Sequence, residues 1–189
     1  MSRRRFADMN CGIAQSLEIF GDWWSLLIIR DAFFGARRFA DFQKNLGIST
    51  NILTSRLEHL VEHEVLERVD AGTHGERHEY RLTDKGRDLL VVLTAMRDWS
   101  ERWVYDKGEE PLIVRDRRTG KRIPHLRLLD AEGHEVGPRD LVSEPGPGAT
   151  AATRRRFAAS SGQRAKGSKT ISSGGAARTT SESSRKSPR

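Results

Sequence analysis

Along the first hundred positions the apolar residues recur every three or four places, the spacing of helices with one buried face. Ile13, Ala14, Leu17 and Phe20 fall on one side of a short helix, and Gly21 is placed to cap it. Asp22 suits the N-cap of a second helix through Phe34, in which Trp23, Trp24, Leu26, Leu27, Ile28, Ile29, Ala32, Phe33 and Phe34 leave almost no polar face. Such a helix belongs at the centre of a domain. A third helix over Phe39 to Leu46 presents Phe39, Phe42 and Leu46 and stops at Gly47. Ser49 then caps a fourth, to about His63, with Leu53, Leu57, Leu60 and Val61 on one side. Asn51, Ile52, Ser55 and His59 lie opposite, with Arg56 and Glu58 on the flanks.

The period then changes. Val65 to Val69 and His78 to Leu82 read as two short strands, joined by a segment with Gly72 and Gly75 that suits a hairpin tip. Thr83 caps a long helix to about Tyr105, striped by Leu89, Leu90, Leu93, Met96, Trp99 and Trp103. After Lys107, short extended pieces alternate with turn formers up to the run Pro145-Gly146-Pro147-Gly148, which predicts a small β-rich extension over 108–148. Residues 149–189 are dominated by Ser, Thr, Ala, Gly, Arg and Lys, a composition too poor in apolar side chains to offset ordering, so a disordered basic tail is predicted.

Charge sharpens that division. The 189-residue chain carries 33 Lys and Arg against 26 Asp and Glu, a net +7, but ten of the basic and one of the acidic residues lie in the tail. The body keeps 23 against 25, a net −2. The positive excess therefore describes the tail, and does not by itself make the folded part a nucleic-acid binder. The single cysteine, Cys11, excludes an intramolecular disulfide. Neither a secretory leader nor a membrane span is legible, since Arg30 and Asp31 interrupt the most apolar window, so a cytoplasmic location is expected.

Three helices, a two-stranded hairpin and a closing helix follow the order of a winged helix-turn-helix, whose second turn helix enters the major groove. On element order alone, a helical bundle whose fourth helix has a solvated polar face fits as well. The residues favour the first. Cys11-Gly12-Ile13, Gly21-Asp22-Trp23-Trp24, Ile28-Ile29-Arg30-Asp31, and Gly35 to Phe42 resemble the HxlR-type branch of the MarR-like winged-helix regulators. So do Gly47 to Leu57, Tyr80-Arg81-Leu82-Thr83-Asp84-Lys85-Gly86, and Trp99, a likeness covering about residues 9 to 106.

The resemblance implies a mainly α fold with a β-wing over residues 1–107, binding double-stranded DNA as a homodimer, as a repressor more often than an activator, without enzymatic activity. Base and backbone contacts would come from Arg38, Ser49, Thr50, Asn51, Ile52, Ser55, Arg56, His59, Arg68, His74 and Arg77. Arg37, Lys44, Lys85 and Arg87 are further candidate phosphate ligands. Leu17, Phe20, Leu93, Met96, Trp99 and Trp103 would build the dimer interface. Cys11 is either a small packed residue or a thiol sensor responsive to an electrophile, and a small-molecule effector belongs to the same expectation.

The wing departs from the family pattern at Thr73 to Arg77, and 108–148 lacks the paired cysteines that suggest a metal ribbon in longer relatives. His125 and His134 alone make a weak site, so neither a metal nor a cofactor is expected. The rival function is an architectural, nucleoid-associated DNA binder dominated by the basic tail, with little sequence preference and a steep salt dependence.

Overall fold

The computed structural model describes residues 6–71 and 78–167, the side chains of 160–167 aside. Its first unit, residues 1–141, runs α1 (Gly12–Phe20), α2 (Trp23–Phe33), α3 (Phe39–Leu46), α4 (Thr50–Glu62), β1 (Leu66–Asp70), β2 (His78–Leu82), α5 (Asp84–Arg87) and α6 (Leu90–Trp103). Mainly helical, with a small two-stranded antiparallel sheet, it is a winged helix-turn-helix.

Side chains that satisfy orphan amides start these helices. The Asp22 carboxylate accepts the Ser25 amide at 3.0 Å and the Ser25 hydroxyl at 2.7 Å. Ser49 Oγ accepts the Ile52 amide at 3.4 Å, and Thr83 Oγ1 the Gly86 amide at 3.0 Å. Gly47 ends α3 at φ +63°, a left-handed conformation that a glycine adopts at little cost. That turn swings the chain directly into α4.

One core holds the unit together. Ile28, Ile29 and Ala32 of α2 meet Phe42 of α3, Leu53, Leu57 and Leu60 of α4, and Val65, Leu66 and Leu82 at the base of the wing, all buried. Removing these side chains from water is the main drive for the fold. Leu66 pairs with Leu82 and Arg68 with Tyr80 in the β1–β2 register. The Tyr80 amide donates to the Arg37 carbonyl at 2.7 Å, while its ring meets Phe42 edge to face at 6.4 Å. Wing and turn are thereby fixed to each other.

Several expectations require correction. The second helix is central but not enclosed, since Trp23 and Phe34 at its two ends are 74% and 65% exposed. The first strand begins at Leu66, one residue late, because the Val65 amide still bonds to the Leu60 carbonyl at the exit of α4. The closing helix is two pieces. Gly86 lies so close to the wing that an added Cβ would sit 2.1 Å from the Val65 carbonyl oxygen, and Gly86 and Asp88 are both poor helix formers.

Beyond α6, the predicted β extension holds no strand among its described residues, only the isolated bridges Arg115 with Arg122 and Leu129 with Glu135. Turns at Gly120 and Gly133, both at positive φ, lie between the partners of the two bridges. The extension is secured to α6 by charge. Asp98 accepts the Leu126 amide at 2.6 Å and Arg97 at 2.7 Å, and Arg122 reaches Glu101 at 2.9 Å and Glu110 at 3.5 Å.

The second unit, from Val142 on, contains α7 (Ala151–Gly167), where the composition predicts disorder. Ala151, Ala152, Arg154, Arg155, Arg156, Ala158 and Ala159 are among the strongest helix formers, and Thr150 Oγ1 accepts the Thr153 amide at 3.2 Å. Local propensity here supplies what burial does not. Residues 168–189 lie outside the described ones. No helix among the described residues is long and apolar enough to cross a membrane.

Candidate nucleic-acid interface

The turn between α3 and α4 is built to hold its second helix rigidly. Asp41 accepts the amides of Arg38 at 3.0 Å and Arg37 at 3.3 Å, closing the start of α3. The Arg38 amide, with the Arg37 amide and nearby positive charge, holds the Asp41 carboxyl below its ordinary pKa despite some desolvation. Gln43 Nε2 donates to Thr50 Oγ1 at 3.0 Å, tying α3 to the first turn of α4.

With Leu53, Leu57 and Leu60 buried, the outward face of α4 is Thr50, Asn51, Thr54, Ser55, Glu58 and Glu62. Its first two turns are therefore neutral, short and polar, and Ile52 beside them is 40% exposed. Acid begins only at Glu58. Phosphates would be repelled from the far end, whereas the N-terminal end carries the positive pole of the helix dipole. This face can offer hydrogen bonds to base edges without a charge conflict.

The structure brings only some of the expected contact residues to that face. Thr50, Asn51 and Ser55 lie on it, and Ser49 caps its start. Thr54, absent from the expected set, belongs with them; its place one turn after Thr50 was the available signal. Arg56 does not present a free guanidinium, because its Nε lies 3.3 Å from Asp22 Oδ1 with the side chain 28% exposed. His59 lies on the flank toward α1, its Nε2 2.9 Å from the Ile19 carbonyl and its ring against His63. The spacing within α4 predicts both to face outward from one buried side, but α1 and the start of α2 also pack on its flanks.

The flanking cations sort in the same way. Arg38, Lys44 and Arg68 are exposed. Arg37 instead donates to the carbonyls of Ala32 at 2.7 Å and Ala36 at 3.0 Å, closing the end of α2. Lys85 sits on the His63 carbonyl at 2.8 Å, and Arg87 on Asp84 and the Leu82 carbonyl. His74 and Arg77, at the expected wing tip, lie outside the described residues.

A second surface is apolar. Met96, Trp99 and Trp103 of α6 are 50%, 62% and 69% exposed, and Ile13 and Leu17 of α1 are open too. Phe20 and Leu93, expected with them, instead pack against the core. Each faces inward from a helix whose stripe is wider than the core can cover. Cys11 stands at the N-cap position of α1, half-buried. In the extension, His125 and His134 are each held by a different carboxylate, Asp98 at 3.4 Å and Asp130 at 3.2 Å.

A helix-turn-helix with an open polar second helix and a short wing defines a DNA-binding protein of the transcription-regulator class. Residues 19–108 match the HxlR-like helix-turn-helix family, and the chain belongs to it. It is similar to Rv3095 of Mycobacterium tuberculosis, an uncharacterized HTH-type transcriptional regulator, 38% identical over 136 residues that span 72% of this chain and 86% of the relative. The regulator sll1512 of Synechocystis is 35% identical over 53% of this chain and 75% of its own.

Two solved structures agree. PA1607, described as a proposed transcription factor, superposes with a TM-score of 0.70 at 40% identity over 75% of this chain and 99% of its own. PA1374 of Pseudomonas aeruginosa, described in the same terms, does so with a TM-score of 0.56 at 38% identity over 77% and 99%.

Proposed function

We propose that this regulator binds a specific double-stranded DNA site as a homodimer, represses transcription from it, and works in the cytoplasm on the nucleoid. The observation that carries the reading is the neutral, short-chained outward face of the first two turns of α4, formed by Thr50, Asn51, Thr54 and Ser55 and flanked by exposed Arg38, Lys44 and Arg68. The polar side chains supply base contacts and the cations supply phosphate contacts that position the helix. The exposed Met96, Trp99 and Trp103 favour self-association, since a second copy would cover them, and a two-fold pair of reading helices would meet half-sites about 34 Å apart. Repression follows where such a dimer overlaps a promoter.

Cys11 at the start of α1 is the residue through which an electrophile would act, because the positive end of a helix favours a thiolate. A small-molecule effector is part of the same proposal. The domain boundaries proposed are 1–107 for DNA binding and dimerisation, 108–148 for the extension and 149–189 for the basic tail.

Footprinting on the DNA upstream of the protein's own gene tests the reading, run with the full chain and with residues 149–189 deleted. A protected, near-palindromic window that survives truncation supports it. Protection lost with the tail would transfer the function to an architectural mode of binding.

A further inference from the structure

The C-terminal end of α4 carries a group of donors that the DNA-reading face does not use. His59, Glu62 and His63 stand at positions i, i+3 and i+4, so the helix places them on one side. One ring nitrogen of each imidazole and a carboxylate oxygen of Glu62 all lie within 4.8 Å of one another. The two rings meet at 67° with centroids 4.5 Å apart.

Three further observations make this more than proximity. Nε2 of His59 lies 2.9 Å from the Ile19 carbonyl, and donation there leaves Nδ1 with the lone pair. Metal-ligating histidines are habitually oriented by such a bond from the second nitrogen to a backbone carbonyl. Glu62 is exposed and has no ion-pair partner among the described residues. The last-turn carbonyls of α4 and the Glu62 carboxylate supply negative potential at this end, where the Lys85 ammonium also sits, on the His63 carbonyl at 2.8 Å.

The other comparable cluster, Asp98, Glu101 and His125, fails on the same criteria. Arg97 is bound to Asp98 and Glu101, and Arg122 to Glu101, so cations of the protein already occupy those carboxylates.

We infer that His59, Glu62 and His63 form a site for a divalent transition metal, zinc being the reference ion. Two imidazoles and one carboxylate match the donor set of zinc sites that keep a fourth position for water. Metal–donor distances of about 2.0–2.2 Å require donors closer together than the outer limit seen here, so binding requires Glu62 and His63 to rotate toward His59. Binding displaces whatever protons the imidazoles carry and forms three coordinate bonds without any change of oxidation state. The ion would fix the last turn of α4, whose His59 is already held to the Ile19 carbonyl of α1. This inference does not rest on the DNA-binding reading and fails or stands apart from it.

The test uses untagged, full-length protein freed of metal with a chelator, titrated with zinc chloride against a chromophoric competitor, with bound metal counted by elemental analysis. The expected result is one zinc per chain, with affinity falling at least about tenfold in His63→Gln and in Glu62→Gln. Both positions are at the helix end, and unchanged far-ultraviolet circular dichroism confirms that the variants fold. Cobalt should give visible d–d bands that His63→Gln abolishes. No zinc retained at micromolar concentration, or equal affinity in both variants and the parent, overturns the site; equal affinity would place the ion elsewhere on the chain.

Discussion

At the scale of single residues, Arg56 separates reading from support. An arginine in the first half of a reading helix invites a base contact, yet its Nε stays beside Asp22, the residue that also caps α2. Asn51→Ala should weaken specific DNA binding by about 1–3 kcal/mol without altering thermal stability, as loss of a bidentate base contact would. Arg56→Ala should lower thermal stability and reduce binding less. Fluorescence anisotropy paired with thermal melts distinguishes the two, and the reverse pattern would return Arg56 to the interface. Burial also decides Gly86. A Cβ there meets the Val65 carbonyl at 2.1 Å, so Gly86→Ala should destabilise by about 1–3 kcal/mol in urea titration.

Asp98 brings pH into the residue scale. Burial alone would raise its carboxyl, but the Leu126 amide, Arg97 and His125 outweigh it and hold the pKa below the ordinary value. The unfolded chain therefore takes up this proton first as pH falls. The stabilisation is full above about pH 5 and is lost as the pH drops through the lowered native value. Urea unfolding at pH 6 and at pH 3.5 should show a larger acid loss for the parent than for Asp98→Asn, and equal losses would remove Asp98 from the acid response.

At the scale of elements, the sequence reading was sound where period and caps coincide. Asp22, Gly47, Ser49 and Thr83 stand where the helices begin or end, and Leu53, Leu57 and Leu60 lie inward as their spacing requires. It failed where contacts between elements decide. His59 faces α1 because Ile19 offers it a carbonyl, and no pattern within α4 announces that partner. The half-buried Phe20 and Leu93 belong to stripes wide enough to serve two surfaces, and spacing does not say which residue serves which. In the extension, turn residues are visible in the sequence but pairing partners are not, so the short extended pieces predict a β-rich segment where only two single bridges form.

Trp99→Glu combined with Met96→Glu should give a monomer by sedimentation at micromolar concentration, where the proposal has the parent sediment as a dimer, with helical content unchanged. Two charges on residues now 62% and 50% exposed cost the fold of one chain little, but would be costly inside an interface. A parent that sediments as a monomer would remove α6 from this role.

At the scale of the whole molecule, a body of net −2 is joined to a tail with ten basic residues and one acid. A basic segment that exchanges counterions with phosphate adds affinity irrespective of sequence. Deleting 149–189 should weaken binding to specific and random DNA by similar factors and flatten the dependence of log affinity on log salt. Identical slopes for the two forms would show that the tail stays off the duplex. In either case, preference for one sequence has to come from the folded body.

Selection from a random pool of DNA duplexes, carried out with the parent and with Thr50→Ala/Asn51→Ala/Ser55→Ala, decides whether α4 reads sequence. The parent should enrich one two-fold symmetric sequence, with half-sites one helical turn apart, and the triple variant should lose that enrichment while keeping general DNA affinity. Equal enrichment by both proteins, or none by the parent, would contradict the assignment of α4 as the reading helix.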